Sequence, residues 1–124
     1  MTQEEKELLL KDLCARLHYG VKGIITYNGD KNIFTVKGIF NILFLSDTEC
    51  CHVEDFRPYL FPLSSMTEEQ KMFLKQQNWC IAISTSGTVE TTIEGIDWLN
   101  KNHFDYRGLI EKGLAIDATG LNIY

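Results

Sequence analysis

The sequence predicts an α+β fold: an N-terminal helix, a curled antiparallel meander of four short strands, a proline- and aromatic-rich connector, and then short helices with a small additional β segment. Three observations carry this. Thr2-Gln3-Glu4-Glu5 and Thr67-Glu68-Glu69-Gln70 both have the capping-box form, in which a threonine hydroxyl and an acid or amide side chain each satisfy an orphan backbone N–H at a helix start. From Val21 to the connector the sequence reads as short β-branched and aromatic runs, the composition that strands favour. Both prolines, Pro58 and Pro62, fall in the stretch 55–70, where the strand-like pattern gives way to the helix-like one.

The first helix follows Thr2, with Leu9, Leu10, Leu13, Cys14 and Leu17 recurring at three- and four-residue spacing and Gly20 placed to end it. Glu7 and Lys11 form a favourable i,i+4 pair on its outer side. Val21 to Tyr27 and Ile33 to Val36 read as two strands joined across Asn28-Gly29, whose residues accept the positive φ of a tight hairpin turn. Asn41 to Leu45 and Cys50 to Val53 complete the four, and closure into a small SH3-like barrel is one way to remove the exposed edges.

In the connector, Pro58 and Pro62 argue against helix and central strand alike. Phe56, Tyr59, Leu60, Phe61 and Leu63 are too apolar for a solvated linker, so it lies against the core. After Thr67 a helix runs through Met72, Phe73 and Leu74 to about Gln77, and Trp79 to Ile83 reads as a strand turning back at Ser86-Gly87. A short helix over 94–102 and another capped by Asp105, with Tyr106, Leu109 and Ile110 on one face, form a helical hairpin, and the tail 114–124 is docked by its apolar end.

At 124 residues the chain reads as one domain, with a helix-plus-meander half at 1–63 and a mainly helical half at 64–124. That length buries about two-thirds of the unfolded surface. The net charge is −5, and the carboxylates of Asp47, Glu49, Glu54, Asp55, Glu68 and Glu69 against Arg57 alone account for all of it. An acidic balance disfavours non-specific binding to nucleic-acid phosphates. Cys14, Cys50, Cys51 and Cys80 show no CxxC pair, and two are adjacent, so they read as reduced. The N-terminus has no basic segment followed by an apolar run, and no apolar run reaches membrane-spanning length, so a cytoplasmic protein with no membrane partner is expected.

The connector from Arg57 to Gln70 and the segment from Asp97 to Ala115 resemble those of a family of small uncharacterised proteins from phage-like and mobile regions of gut-anaerobe (Bacteroidales-type) genomes. The resemblance covers the whole chain in outline, with these two segments its specific part. It implies a bacterial cytoplasmic or phage setting and carries no assigned activity or functional residue.

Two clusters hold chemistry-bearing side chains. Cys50-Cys51-His52 with Glu54 supplies zinc-ligand types, but strand alternation puts Cys51 on the face opposite Cys50 and His52, leaving Cys14, His18 or Cys80 to complete a site. A buried cysteine, an edge cysteine and a surface histidine explain the run more simply, so no metal or other cofactor is expected. Trp98, His103, Asp105, Tyr106 and Arg107 form the richest group, with aromatic, acid–base and anion-holding side chains. Core packing by Trp98 and Tyr106 and capping by Asp105 account for most of it. A helix-turn-helix with Lys101, Asn102, Arg107 and Lys112 facing DNA has helices that are short and charge that is mixed. Ser84, Ser86 and Gly87 form no GxSxG elbow, and no phosphate-loop or dinucleotide glycine pattern occurs.

The expected function is therefore a non-enzymatic protein-interaction or self-associating module of a bacterial or phage accessory system, with no catalytic residue assigned. Its binding candidates are Phe56, Arg57, Tyr59, Trp98, His103, Tyr106 and Arg107. A nucleic-acid-associated regulator or DNA mimic is the alternative, and a small hydrolase using His103 and Asp105 is the third reading.

Overall fold

The computed structural model describes residues 1–27, 32–40, 42–46, 48–79, 81–83 and 89–124. Helix α1 (Gln3–Arg16) begins at the expected capping box, with Glu5 N–H donating to Thr2 Oγ1 and Thr2 N–H donating to Glu5 Oε1. It ends through a 3-10 turn (Leu17–Tyr19) on Gly20, whose φ of 71° is the left-handed conformation that glycine adopts without a Cβ penalty. Leu9 and Leu13 are fully buried, whereas Cys14 is exposed and does not share the leucine face. Glu7 accepts from Gln3 rather than pairing with Lys11.

The strands do not form one meander. β1 (Lys22–Ile25) and β2 (Phe34–Thr35) pair antiparallel as the expected hairpin, its Asn28-Gly29 turn lying outside the described residues. β3 (Gly38–Ile39), β4 (Leu43–Phe44) and β5 (Cys50–Cys51) make a separate antiparallel sheet in that order. The free edge of β1 is taken instead by the connector, which is itself strand β6 (Phe56–Pro62), the longest in the molecule among the described residues. With β6 on that edge, β5 has no route back to β1, and no closed barrel forms among the described residues.

The expectation that two prolines exclude a central strand is overturned by where they fall. Thr26 N–H donates to Asp55 O, so antiparallel alternation makes Ile24–Arg57 the next hydrogen-bonded pair and leaves Pro58 opposite Gly23 at a non-hydrogen-bonded position. On the C-terminal half of β6 the ladder runs through non-proline residues, with Ala118 N–H donating to Leu60 O and Phe61 N–H to His103 O. A Cβ at Gly23 would collide with the Arg57 carbonyl and the Phe56 ring, so this crossing needs glycine.

Beyond β6 the second capping box starts helix α2 (Glu68–Gln76), as expected. β7 (Ala82–Ile83) and β8 (Val89–Glu90) pair antiparallel, and the Ser86-Gly87 turn lies outside the described residues. Helix α3 (Ile93–Lys101) is capped by Thr92, whose hydroxyl accepts from Gly95 N–H. The second helix of the predicted hairpin is absent: Phe104–Asp105 is strand β9, parallel to β6, and 109–113 is a series of turns. β10 (Ile116–Asp117) also pairs parallel with β6, so the main sheet runs β10-β6-β1-β2 with β9 added to β6.

Leu9, Leu13, Ile25, Leu43, Phe56, Leu60 and Leu109, each 2% exposed or less, meet in one core. Each such side chain contributes about 1.5–3 kcal/mol by leaving water. No helix among the described residues is long and apolar enough to cross a membrane.

Candidate functional site

Several of the sequence candidates are structural. Phe56 is 0% exposed and belongs to the core. Arg57 donates from Nη1 to the carbonyls of Glu54 and Phe56, and Tyr59 lends its carbonyl to the Tyr124 hydroxyl at 2.8 Å. Arg57 and Tyr59 thus serve the frame of β6.

Tyr106 and Arg107 join a buried polar cluster that the sequence reading did not identify. Asp12 and Arg16, both fully buried one helical turn apart, pair at 2.8 Å, and Arg107 Nη1 reaches the same carboxylate at 3.2 Å. Arg16 Nη2 also donates to Phe104 O. The Tyr106 ring lies under both guanidinium groups at 5.3 and 4.5 Å, and its hydroxyl donates to Asn100 Oδ1. This cluster pins α1 to β9 and α3, and two cations sharing one carboxylate give it the look of an anchor.

Asp105 is equally committed. Its two carboxylate oxygens accept from Leu109 N–H at 3.0 Å and Ile110 N–H at 2.9 Å, which caps the turns after β9. No hydrogen bond joins it to His103. The acid–base pair of the hydrolase reading therefore does not form, and the helix-turn-helix reading lacks its second helix.

Cys50 and His52 are exposed while Cys51 is buried, the alternation expected along a strand. Burial, then Asp55 and Cys50, push the Cys51 thiol up to about 11. Cys80 lies outside the described residues. Among the described residues no three metal-ligand side chains come together.

Two concave regions border α3 and share Lys101. The first is a groove of about 330 Å³ between α2 and α3, lined by Tyr19, Phe73, Trp79, Glu94, Asp97, Trp98 and Lys101. Phe73 meets Trp79 edge-on at 5.9 Å and Trp98 face-on at 6.3 Å, and Trp98 stacks in turn on buried Phe104 at 5.6 Å. The aromatic row thus starts in the core and surfaces at Phe73, which is 40% exposed. Met72 continues it along α2 at 59% exposed, beside a shallow depression bordered by Glu68 and Glu69. Glu69, Glu94 and Asp97 have no cationic partner among the described residues, while Glu68 pairs with Lys71.

The second region, of about 400 Å³, lies where the end of β6, the start of α2, the end of α3 and the C-terminal tail meet. Phe61, Phe104 and Tyr124 supply its apolar wall, and Ser65, Thr67, Gln70, Lys101 and Asn102 its polar one. His103, 7% exposed, completes the lining and stacks on Tyr124 at 3.6 Å and 11°. Burial first, then the charges of Arg16 and Lys22, lower its pKa to about 4, so the ring is neutral at neutral pH. Its Nδ1 is buried with no hydrogen-bond partner.

Of the sequence candidates, then, Trp98 lies in the groove and His103 in the pocket, while the side chains of Phe56, Arg57, Tyr106 and Arg107 and the backbone carbonyl of Tyr59 stabilise the fold. Phe73, Trp79 and Lys101 complete the groove; the signal for the first two was Phe73 on α2 with Trp79 just past the helix end. Compared with protein-family models, with curated proteins and with solved structures, the chain matches none.

Proposed function

We propose that this protein is an interaction module whose α2–α3 groove receives an apolar segment with basic flanks from a partner protein. The observation that carries the reading is the aromatic row Phe73, Trp79 and Trp98, exposed along one edge and bordered by unpaired Glu69, Glu94 and Asp97. Large aromatics with a charged rim are the usual make-up of a contact site. A row that was only core would not surface at Phe73 and Met72. The rim charge selects for lysine or arginine on the partner and raises the encounter rate at low salt. The resemblance of the connector and of the segment 97–115 supports placing the module in the cytoplasm of a bacterial or phage accessory system.

Calorimetric titration with a synthetic helical peptide carrying leucine on one face and lysine on the other tests this. Saturable binding is expected, weakened by Phe73→Ala, by the Glu94→Gln/Asp97→Asn double variant and by added salt. Equal binding of a matching leucine–glutamate peptide would defeat the reading. Dimerisation that Phe73→Ala abolishes would assign the groove to a second copy of the chain instead.

A further inference from the structure

We propose that the His103 pocket is a second, separate site that binds a small carboxylate carried on a flat apolar body. The hydrogen-bonding capacity and the charge left over in its lining point to that class. Ser65 Oγ is used on Pro62 O, Thr67 Oγ1 on Gln70 N–H, Gln70 Oε1 on Thr67 N–H and Asn102 Nδ2 on Trp98 O. What remains includes acceptors such as Asn102 Oδ1 and donors such as the Thr67 hydroxyl and Gln70 Nε2, so the neutral groups do not select a charge by themselves. The selection comes from Lys101, the one cationic side chain of the lining, which makes no ion pair among the described residues.

The pocket also opens beside the N-terminus of α2, where the helix dipole favours negative charge. Facing these donors, Phe61 and Phe104 stand 6.1 Å apart at 53°, an apolar wall suited to a planar group. The neutral, unpartnered imidazole of His103 is itself more than nine-tenths buried in the lining, a position that a buried polar ring keeps at a cost unless something is gained there. The backbone carries a further cost, since His103 holds φ at 61° at a helix end where glycine is the favoured residue. The volume lies within the range of small-molecule sites.

The probe is benzoate, with benzamide as the same ring without charge and inorganic phosphate as an anion without a ring. The readout is the NMR signals of the His103 ring and the Gln70 amide. Saturable shifts with benzoate, at least about tenfold weaker with benzamide and with phosphate, are expected. Lys101→Ala, at an exposed position, lowers benzoate affinity by a similar factor. Gln70→Glu removes the free donors and adds a repelling charge while keeping the capping box, since Glu5 already performs the same role in α1; it too weakens binding. Absence of saturation, equal affinity for benzamide or for phosphate, or unchanged affinity in both variants would overturn the assignment. Lys101 borders the groove as well as the pocket, so the two are separated by a variant of the groove alone: Phe73→Ala weakens the leucine–lysine peptide and leaves benzoate affinity unchanged.

Discussion

The rings of His103 and Tyr124 stack face to face at 3.6 Å, so the Tyr124 side chain covers the most buried histidine. The Tyr124 hydroxyl is fixed at the same time, accepting from Lys22 N–H at 2.8 Å and donating to Tyr59 O at 2.8 Å. The tail is thereby stitched to both central strands, β1 and β6. Burial pushes the hydroxyl up to about 12, so it remains a donor at all ordinary pH.

Tyr124→Phe keeps the stack but leaves Lys22 N–H and Tyr59 O without this partner. A loss of about 1–2 kcal/mol is expected from urea denaturation. No loss would show that the tail is held by its rings alone.

The neutral state of His103 makes stability depend on pH. Its pKa is about 4 in the folded chain against an ordinary value of 6.5, so on acidification the unfolded state takes up the proton first. Stability therefore rises with pH across that window: the contribution is complete above about 6.5 and is lost as pH falls towards about 4. Urea midpoints measured through the upper part of the window, where most carboxylates are still ionised, should fall with pH. His103→Asn, which tolerates positive φ, should flatten that slope.

The shared carboxylate of Asp12 makes it the most sensitive polar position. Asp12→Ala strands the fully buried Arg16 guanidinium and is expected to cost about 3–5 kcal/mol. The double variant Asp12→Leu/Arg16→Met should be less destabilised than Asp12→Ala, because it strands no fully buried charge. Equal losses in the two would mean that packing, not charge, governs the site.

Gly23→Ala tests the crossing of β1 and β6. The added methyl meets the Arg57 carbonyl and the Phe56 ring, and backbone on one side cannot yield. A destabilisation of about 1–3 kcal/mol is expected by thermal melting.

Much of this architecture was legible in the sequence, and the failures share a cause. Both capping boxes, the β1–β2 pairing, α3 and the docked tail follow from signals contained within a few residues. What eluded local reading was pairing between distant segments. Pro58 and Pro62 argue against a central strand only if their missing N–H groups fall on the ladder, and Pro58 is spared by a register that sets it opposite Gly23, far away in the chain, while Pro62 lies beyond β1 and opposite Asp105 of β9. Phe104–Asp105 likewise reads as a helix start by its cap, while its backbone is claimed by β6. Asp12 and Arg16 were readable in principle: Leu9, Asp12, Leu13 and Arg16 share one helical face, which marks a buried ion pair. The groove was half visible, since Trp98 stood out by its neighbours, whereas Phe73 and Trp79 become a site only once α2 and α3 lie side by side.

The central claim, an acidic aromatic groove that takes a basic apolar segment, is tested most directly by the indole N–H signals of Trp79 and Trp98, the two tryptophans of the chain. During titration with the leucine–lysine peptide, both signals are predicted to shift and to saturate with a single dissociation constant that rises with salt. Indole signals that stay fixed while the peptide binds elsewhere, or that move equally for the leucine–glutamate peptide, would contradict it.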